Sequence, residues 1–160
     1  MALGSIARTA AALTSNKDFF NVIAFTNRKI KVNEISLVGN AGTSAAAAYQ
    51  EVAAIIETGA AVGAQTSLTA NKWEADSATL TTTSGFGAAT SDPTIGALTT
   101  AYVLLGCTAY GGIYRWTARP NGEIVSRNVA ASSLGAAGGL SLRQSQGTGT
   151  VSMHCVFDEL

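Results

Sequence analysis

The sequence predicts an all-β protein. Short runs rich in β-branched and aromatic residues recur along the chain, separated by Gly, Asn and Pro turn signals. The last run alternates apolar and polar residues with a period of two. No long amphipathic helical stripe, no strand–helix–strand rhythm and no repeat of fixed period breaks the series. Many short strands at close spacing indicate a sandwich or a barrel. A chain of 160 residues is the size of one ordinary domain and can bury a full core.

The elements follow in order. Residues 19–25 (Phe-Phe-Asn-Val-Ile-Ala-Phe) form the first clear strand. In 27–38, Ile30 and Val32 fall on one parity and Ile35 and Leu37 on the other, so a β-bulge or a break into two strands is expected. Gly39-Asn40-Ala41-Gly42 reads as a turn. Ala, Gln and Glu in 45–57 favour helix, but the stretch 49–57 is short, Gly59 ends it and its surroundings are β, so it is read as a strand. Residues 58–100, dominated by Gly, Ala, Thr and Ser, are expected to hold one or two short strands, with Thr79–Thr83 β-prone, between long excursions. Strands are then predicted over 101–110 and 113–118. The turn Pro120-Asn121-Gly122 reads as a hairpin, because Asn-Gly tolerates positive φ. Glu123-Ile124-Val125 resumes the sheet, a Gly/Ala/Ser loop covers 132–139, and Leu140-Ser141-Leu142 is a short strand before a turn over 144–149. In 150–157, Val151, Met153, Cys155 and Phe157 share one face.

Composition narrows the function. Only 12% of residues are charged, about half the usual share of roughly 25%, and Ala, Thr, Ser and Gly stand in their place. Such a surface solubilises a free monomer weakly and suits one covered by neighbours. Ten basic residues balance ten acidic ones with no basic stripe, which argues against nucleic-acid binding. No apolar run reaches the length of a membrane span, and residues 1–15 lack the basic lead of a signal peptide. They read instead as an N-terminal arm, with 16–160 as one domain. Cys107 and Cys155 both sit in apolar runs, as buried thiols made in a reducing cytoplasm would.

Motifs for catalysis are absent from the pattern. The single histidine, His154, stands next to Cys155, and neighbours on a strand point to opposite faces, so the two cannot form a dyad. One His and two separated Cys give no metal-ligand spacing. Gly39-Asn40-Ala41-Gly42-Thr43-Ser44 lacks the lysine and glycine spacing of a phosphate loop. No pair among the ten acids stands out as a glycosidase couple. No enzyme activity and no cofactor are therefore expected. Trp73 and Phe86, in polar loops, plug the core or pack on a neighbouring subunit, or else form a sugar-stacking platform. Trp116, within a strand, belongs to the core or to a cross-strand aromatic pair. Arg115 lies on the face opposite Tyr114 and Trp116, solvated or paired across strands or subunits. Asp158-Glu159 reads as solvated or as half of an intersubunit salt bridge.

The C-terminal third carries a resemblance. Ile113-Tyr114-Arg115-Trp116-Thr117-Ala118-Arg119-Pro120-Asn121-Gly122-Glu123-Ile124-Val125, then Gly139-Leu140-Ser141-Leu142, then Thr150-Val151 through Phe157-Asp158-Glu159, is similar to a pattern in small structural proteins of tailed bacteriophages. The resemblance implies an antiparallel, jelly-roll-like β-sandwich with an N-terminal arm; the long Gly/Ala/Thr-rich loops and the Ala45–Ala48 run are where this sequence departs from the pattern. It implies a non-enzymatic decoration or cement protein on the capsid exterior of the virion, made in the host cytoplasm. Such a protein packs as a homo-oligomer, with a trimer favoured, on the major capsid protein. The interface candidates are then Ile6, Arg8 and Leu13 of the arm, with Trp73, Phe86 and Arg115. Two other readings stay open: a self-assembling coat, tail or filament subunit, and a carbohydrate-binding β-sandwich using Trp73, Phe86 or Trp116.

Overall fold

The computed structural model describes residues 2–13, 18–23, 28–40, 49–56, 66–74, 79–80, 83–86, 101–108, 112–127, 139–147 and 149–160. Within them lie twelve strands and no helix: β1 (Ala2–Leu13), β2 (Asp18–Ile23), β3 (Lys29–Asn40), β4 (Tyr49–Ile56), β5 (Thr66–Leu68), β6 (Asn71–Lys72), β7 (Thr83–Phe86), β8 (Val103–Thr108), β9 (Ile113–Thr117), β10 (Ile124–Arg127), β11 (Gly139–Gln146) and β12 (Gly149–Glu159). They form two six-stranded antiparallel sheets. The first runs β10-β3-β12-β1-β6, with β9 also on β3; the second runs β5-β7-β2-β11-β4-β8. The pairing is nested: β1 with β12, β2 with β11, β3 with β9 and β10, and β4 with β8. Successive nested pairs alternate between the sheets, and β5, β6 and β7 extend the outer margins.

One buried apolar cluster draws on both sheets. The first contributes Ile6, Ile30, Val32, Ile35, Leu37, Ile124, Val151, Met153, Cys155 and Phe157; the second contributes Phe19, Val22, Val52, Ala54, Leu105, Cys107, Leu140 and Leu142. The phase change expected in β3 is a bulge. Val32 pairs with Phe157 and Glu34 with Val156, so Asn33 is the extra residue. It lets Ile30 and Val32 on one parity and Ile35 and Leu37 on the other all point into the core. The same alternation holds in β12, where Val151, Met153, Cys155 and Phe157 are buried.

Several expectations are corrected. The segment expected as an arm contains β1, which is hydrogen-bonded along its length to β12 and near its start to β6. Ala2 and Ile6 of this strand are buried. The turn at Pro120-Asn121-Gly122 is present, with Asn121 at φ 61° and the Gly122 amide donating to the Arg119 carbonyl at 2.8 Å. It does not make a hairpin. Thr117 pairs with Glu34 and Ile124 with Val32, so β9 and β10 run the same way, end to end, along β3. Turn chemistry fixes the local φ values but not whether the flanking strands pair with each other or with a third. Gly39 and Asn40 continue β3, and β11 runs on through Gln146 where a turn was expected. Residues 41–44, 87–100 and 128–138, which hold much of the expected loops, lie outside the described residues, as does Ala45–Ala48.

Several polar groups in the interior are paired. Asp18 and Arg143 face each other across β2 and β11, with Arg143 Nε donating to Asp18 Oδ1 at 2.7 Å and Ser141 Oγ donating to the same oxygen at 2.5 Å. The Asn33 side chain donates to Asp158 Oδ2 at 3.0 Å, and Glu159 is buried, so the acidic pair does not stand out in solvent.

Candidate interaction surface

Strand β8 is one margin of the second sheet, and β9 with β10 forms one margin of the first. The two margins lie against each other, β8 beside β9. In β8 the pleat sends Leu105 and Cys107 into the core and leaves Leu104 exposed. In β9, Tyr114 and Trp116 are opposite Leu37 and Ile35, and Ile113 and Arg115 are opposite Val38 and Ser36. The inward pair lies at a margin: Trp116 is half-buried against the core, and Tyr114 keeps 40% of its surface in solvent. With Tyr102, Ile113 (73% exposed) and Val125, this side carries five of the seven exposed large hydrophobics among the described residues. A contiguous stretch without any charge, 101–114, supplies four of these five. Ile113 and Val125 point outward from the first sheet and Leu104 from the second, so exposed apolar side chains flank this margin on both faces.

A cleft of about 450 Å³ opens where the chain loops out between β9 and β10, lined by Arg115, Trp116, Thr117, Arg119 and Gly122. The bulge at Asn33 holds the base of the loop, its carbonyl accepting from the Ala118 amide at 2.8 Å. Arg115 pairs with Glu34 on the outer face. The Arg115 side chain is 60% exposed, so the pair contributes at most about 1 kcal/mol to stability. Arg119 is exposed, and no carboxylate pairs with it among the described residues.

The residues singled out from sequence divide sharply. Ile6 is in the core. Arg8 is half-buried, donates to the Phe19 carbonyl and stacks over the Phe19 ring at 4.9 Å. Burial pulls its pKa down from the usual guanidinium value. Ile6 is thus enclosed in this chain's own core, and Arg8 is engaged with Phe19 of the same chain. Leu13 pairs through its backbone with Gly149 and Phe86 through its backbone with Thr66; their side chains are outside the described residues. Trp73 is 56% exposed, just beyond β6 on the far margin of the first sheet, with its amide donating to the Leu3 carbonyl at 3.2 Å. Trp73 and Arg115 thus lie on opposite margins and do not form one site. Tyr102, Leu104, Ile113, Tyr114, Val125 and Arg119 were not among the interface candidates. The uncharged stretch 101–114 was the available signal, but which of its residues face solvent depends on strand order.

The reactive side chains are kept apart. His154 sits on the outer face of the first sheet between Ala7 and Ser36, while Cys155 points into the core. Cys107 is buried on β8, its Sγ 3.7 Å from Gln50 Oε1. Both cysteines are free thiols. Burial, with Glu34 adding repulsion, pushes the Cys155 pKa up to about 12, and burial also raises that of Cys107. Neither has the electropositive, partly exposed setting of a reactive cysteine. Among the described residues, no three His, Cys, Asp or Glu side chains come together as a metal site. Comparisons with protein-family models, with curated proteins and with solved structures find no match to this chain.

Proposed function

We propose that the protein is a non-enzymatic structural subunit that works by packing against other protein subunits, and that it decorates or cements a bacteriophage capsid. The observation that carries the reading is the exposure of large apolar side chains on or beside the marginal strands β8, β9 and β10. The nested pairing supports a jelly-roll β-sandwich. A ribbon of the pairs β1:β12, β2:β11, β3:β9–β10 and β4:β8, rolled so that alternate pairs enter alternate sheets, is the strand order of that architecture. Jelly rolls recur in viral capsid proteins and in lectins. The shortage of charge favours a subunit whose surface is covered in an assembly. Many weak contacts, each repeated around a homo-oligomer, would give avidity on a capsid lattice without any strong single contact. The partners on this reading are further copies of the chain, with a trimer favoured, and the major capsid protein.

The test is co-sedimentation with capsids that lack the protein, combined with the capsids' resistance to heat. Saturable binding that raises the rupture temperature supports the reading. A protein that polymerises alone into shells or filaments is the lattice itself, and one that neither assembles nor binds capsids is not a virion subunit.

A further inference from the structure

We infer that β8 is where two copies of this chain join, edge to edge and antiparallel, so that the second sheet runs on from one copy into the other. The inference rests on the subunit-packing reading above and names the partner of that margin. Strand β8 ends the second sheet: β4 pairs with it on one side, and among the described residues no strand pairs with it on the other. The edge of a sheet presents a row of backbone N–H and C=O groups to any strand that fits, and proteins blunt such edges with charge, proline or brevity. The other marginal strands are blunted in these ways. β5 has three residues and β6 two, β6 also carries Lys72, β9 carries Arg115 and β10 carries Arg127. β8 has six residues with neither a charge nor a proline, and the charge-free stretch around it reaches from 101 to 114. An unguarded edge of that length finds its equal in the β8 of another copy.

The side chains of β8 fit a copy of themselves. A two-fold axis at the margin, perpendicular to the sheet, keeps the outward residues of both copies on one face. Centred on Leu104, it sets Leu104 opposite Leu104 of the second copy, and Tyr102 opposite Gly106 of the second copy, twice. Leu104 is 55% and Tyr102 62% exposed, and Gly106 is half-buried. Cross-strand apolar pairs stabilise a sheet, and an aromatic ring laid over a strand glycine covers the backbone that glycine leaves bare. Tyr102 stands just before β8, and its amide donates to the Ala54 carbonyl at 2.9 Å, which fixes the backbone that carries the ring. On the inward face the same register sets Val103 opposite Leu105 of the second copy, both of them residues that pack in or against the apolar core. Strand addition of this kind draws affinity from main-chain hydrogen bonds and specificity from the alternating side chains. Because both copies use the same edge, the contact is isologous: it closes at two chains, and it would join two trimers as a hexamer.

The experiment is light scattering of the full chain over a concentration series. The wild type should reach a mass set by an even number of its 16.2 kDa chains. Leu104→Lys and Leu104→Glu should each weaken that assembly by roughly tenfold or more, since both copies lose an apolar contact and like charges meet at the axis. Mixed in equal amounts, these two variants should pair with each other and recover the even-numbered mass. Tyr102→Ala should also weaken assembly by roughly tenfold, as loss of an interface aromatic does. Circular dichroism checks that each variant folds; neither side chain is in the core. A wild type that stays monomeric or stops at a trimer overturns the inference, as do Leu104 variants that keep the wild-type mass or that stay apart when mixed. If a monomeric wild type still binds capsids, the subunit reading survives without this contact. If Leu104→Lys keeps its mass but loses capsid binding, β8 docks on the lattice and the second-copy inference fails.

Discussion

The buried pair of Asp18 and Arg143 gives a prediction whose size follows from the structure. The Asp18 side chain is fully buried and that of Arg143 is 12% exposed. Removing the arginine with Arg143→Met leaves a carboxylate in the interior without its counter-charge, and breaking a buried pair from one side costs about 3–5 kcal/mol. A domain of this kind has about 5–15 kcal/mol in all, so much of its stability is at stake. At roughly 2–4 °C per kcal/mol for a chain of this size, the midpoint of thermal unfolding should fall by roughly 6–20 °C. Removing both charges, with Asp18→Leu and Arg143→Met, should recover most of the loss, because two apolar side chains leave no unpaired charge. The recovery is incomplete, since the Ser141 hydroxyl loses its acceptor, worth about 1–3 kcal/mol. Urea unfolding of wild type, single and double variants measures the cycle, and the slope of free energy against urea should stay constant. A loss under about 1 kcal/mol in Arg143→Met would refute the reasoning. So would a double variant less stable than that single one.

Gly149 sits at φ 151°, and a Cβ there would run into the side-chain amide of the buried Gln50. Gly149→Ala should therefore destabilise by more than about 1 kcal/mol, as equilibrium unfolding against the wild type will measure. Cys155 should resist alkylation in the folded protein at pH 8 and react once urea unfolds it, as mass spectrometry of labelled peptides will read. With its folded pKa at about 12, above the ordinary thiol value, the folded state holds the proton more tightly. Its contribution is thus fully present below the unfolded pKa near 8.5 and is lost as pH rises toward the folded value. Cys155→Ser should show less alkaline loss of stability over that window.

How much of this was legible in the sequence differs by element. The apolar face of β12 was readable because one strand with one buried face obeys a period of two. The phase change at Ile30, Val32, Ile35 and Leu37 was readable for the same reason, as a bulge or a break, and the register with β12 makes it a bulge. Tyr49–Ile56 was harder, since its Ala, Gln and Glu favour helix; pairing with β8 and β11 overrides that propensity. Residues 2–13 misled. Their Ala-rich composition has weak β propensity, and the segment becomes a strand because β12 and β6 present paired edges to it.

The candidate surface was least legible. Trp73 and Arg115 drew notice as residue types, yet their opposite margins follow from the order β9–β3–β12–β1–β6, which joins residues more than a hundred positions apart. The side-by-side placement of β8 and β9, and with it the exposure of Leu104 and Ile113, has the same origin.

The sequence by itself determined the all-β class, the inward face of the final strand, the change of phase within β3 and the turn at Asn121, because each depends on neighbours within a few residues. Only the tertiary structure decided that β1 is a strand within the sheet, that β9 and β10 lie end to end on β3, and which apolar residues remain in solvent. Those outcomes rest on long-range backbone pairing, and a residue's period-two pattern says which side it takes but not which strand will stand beside it.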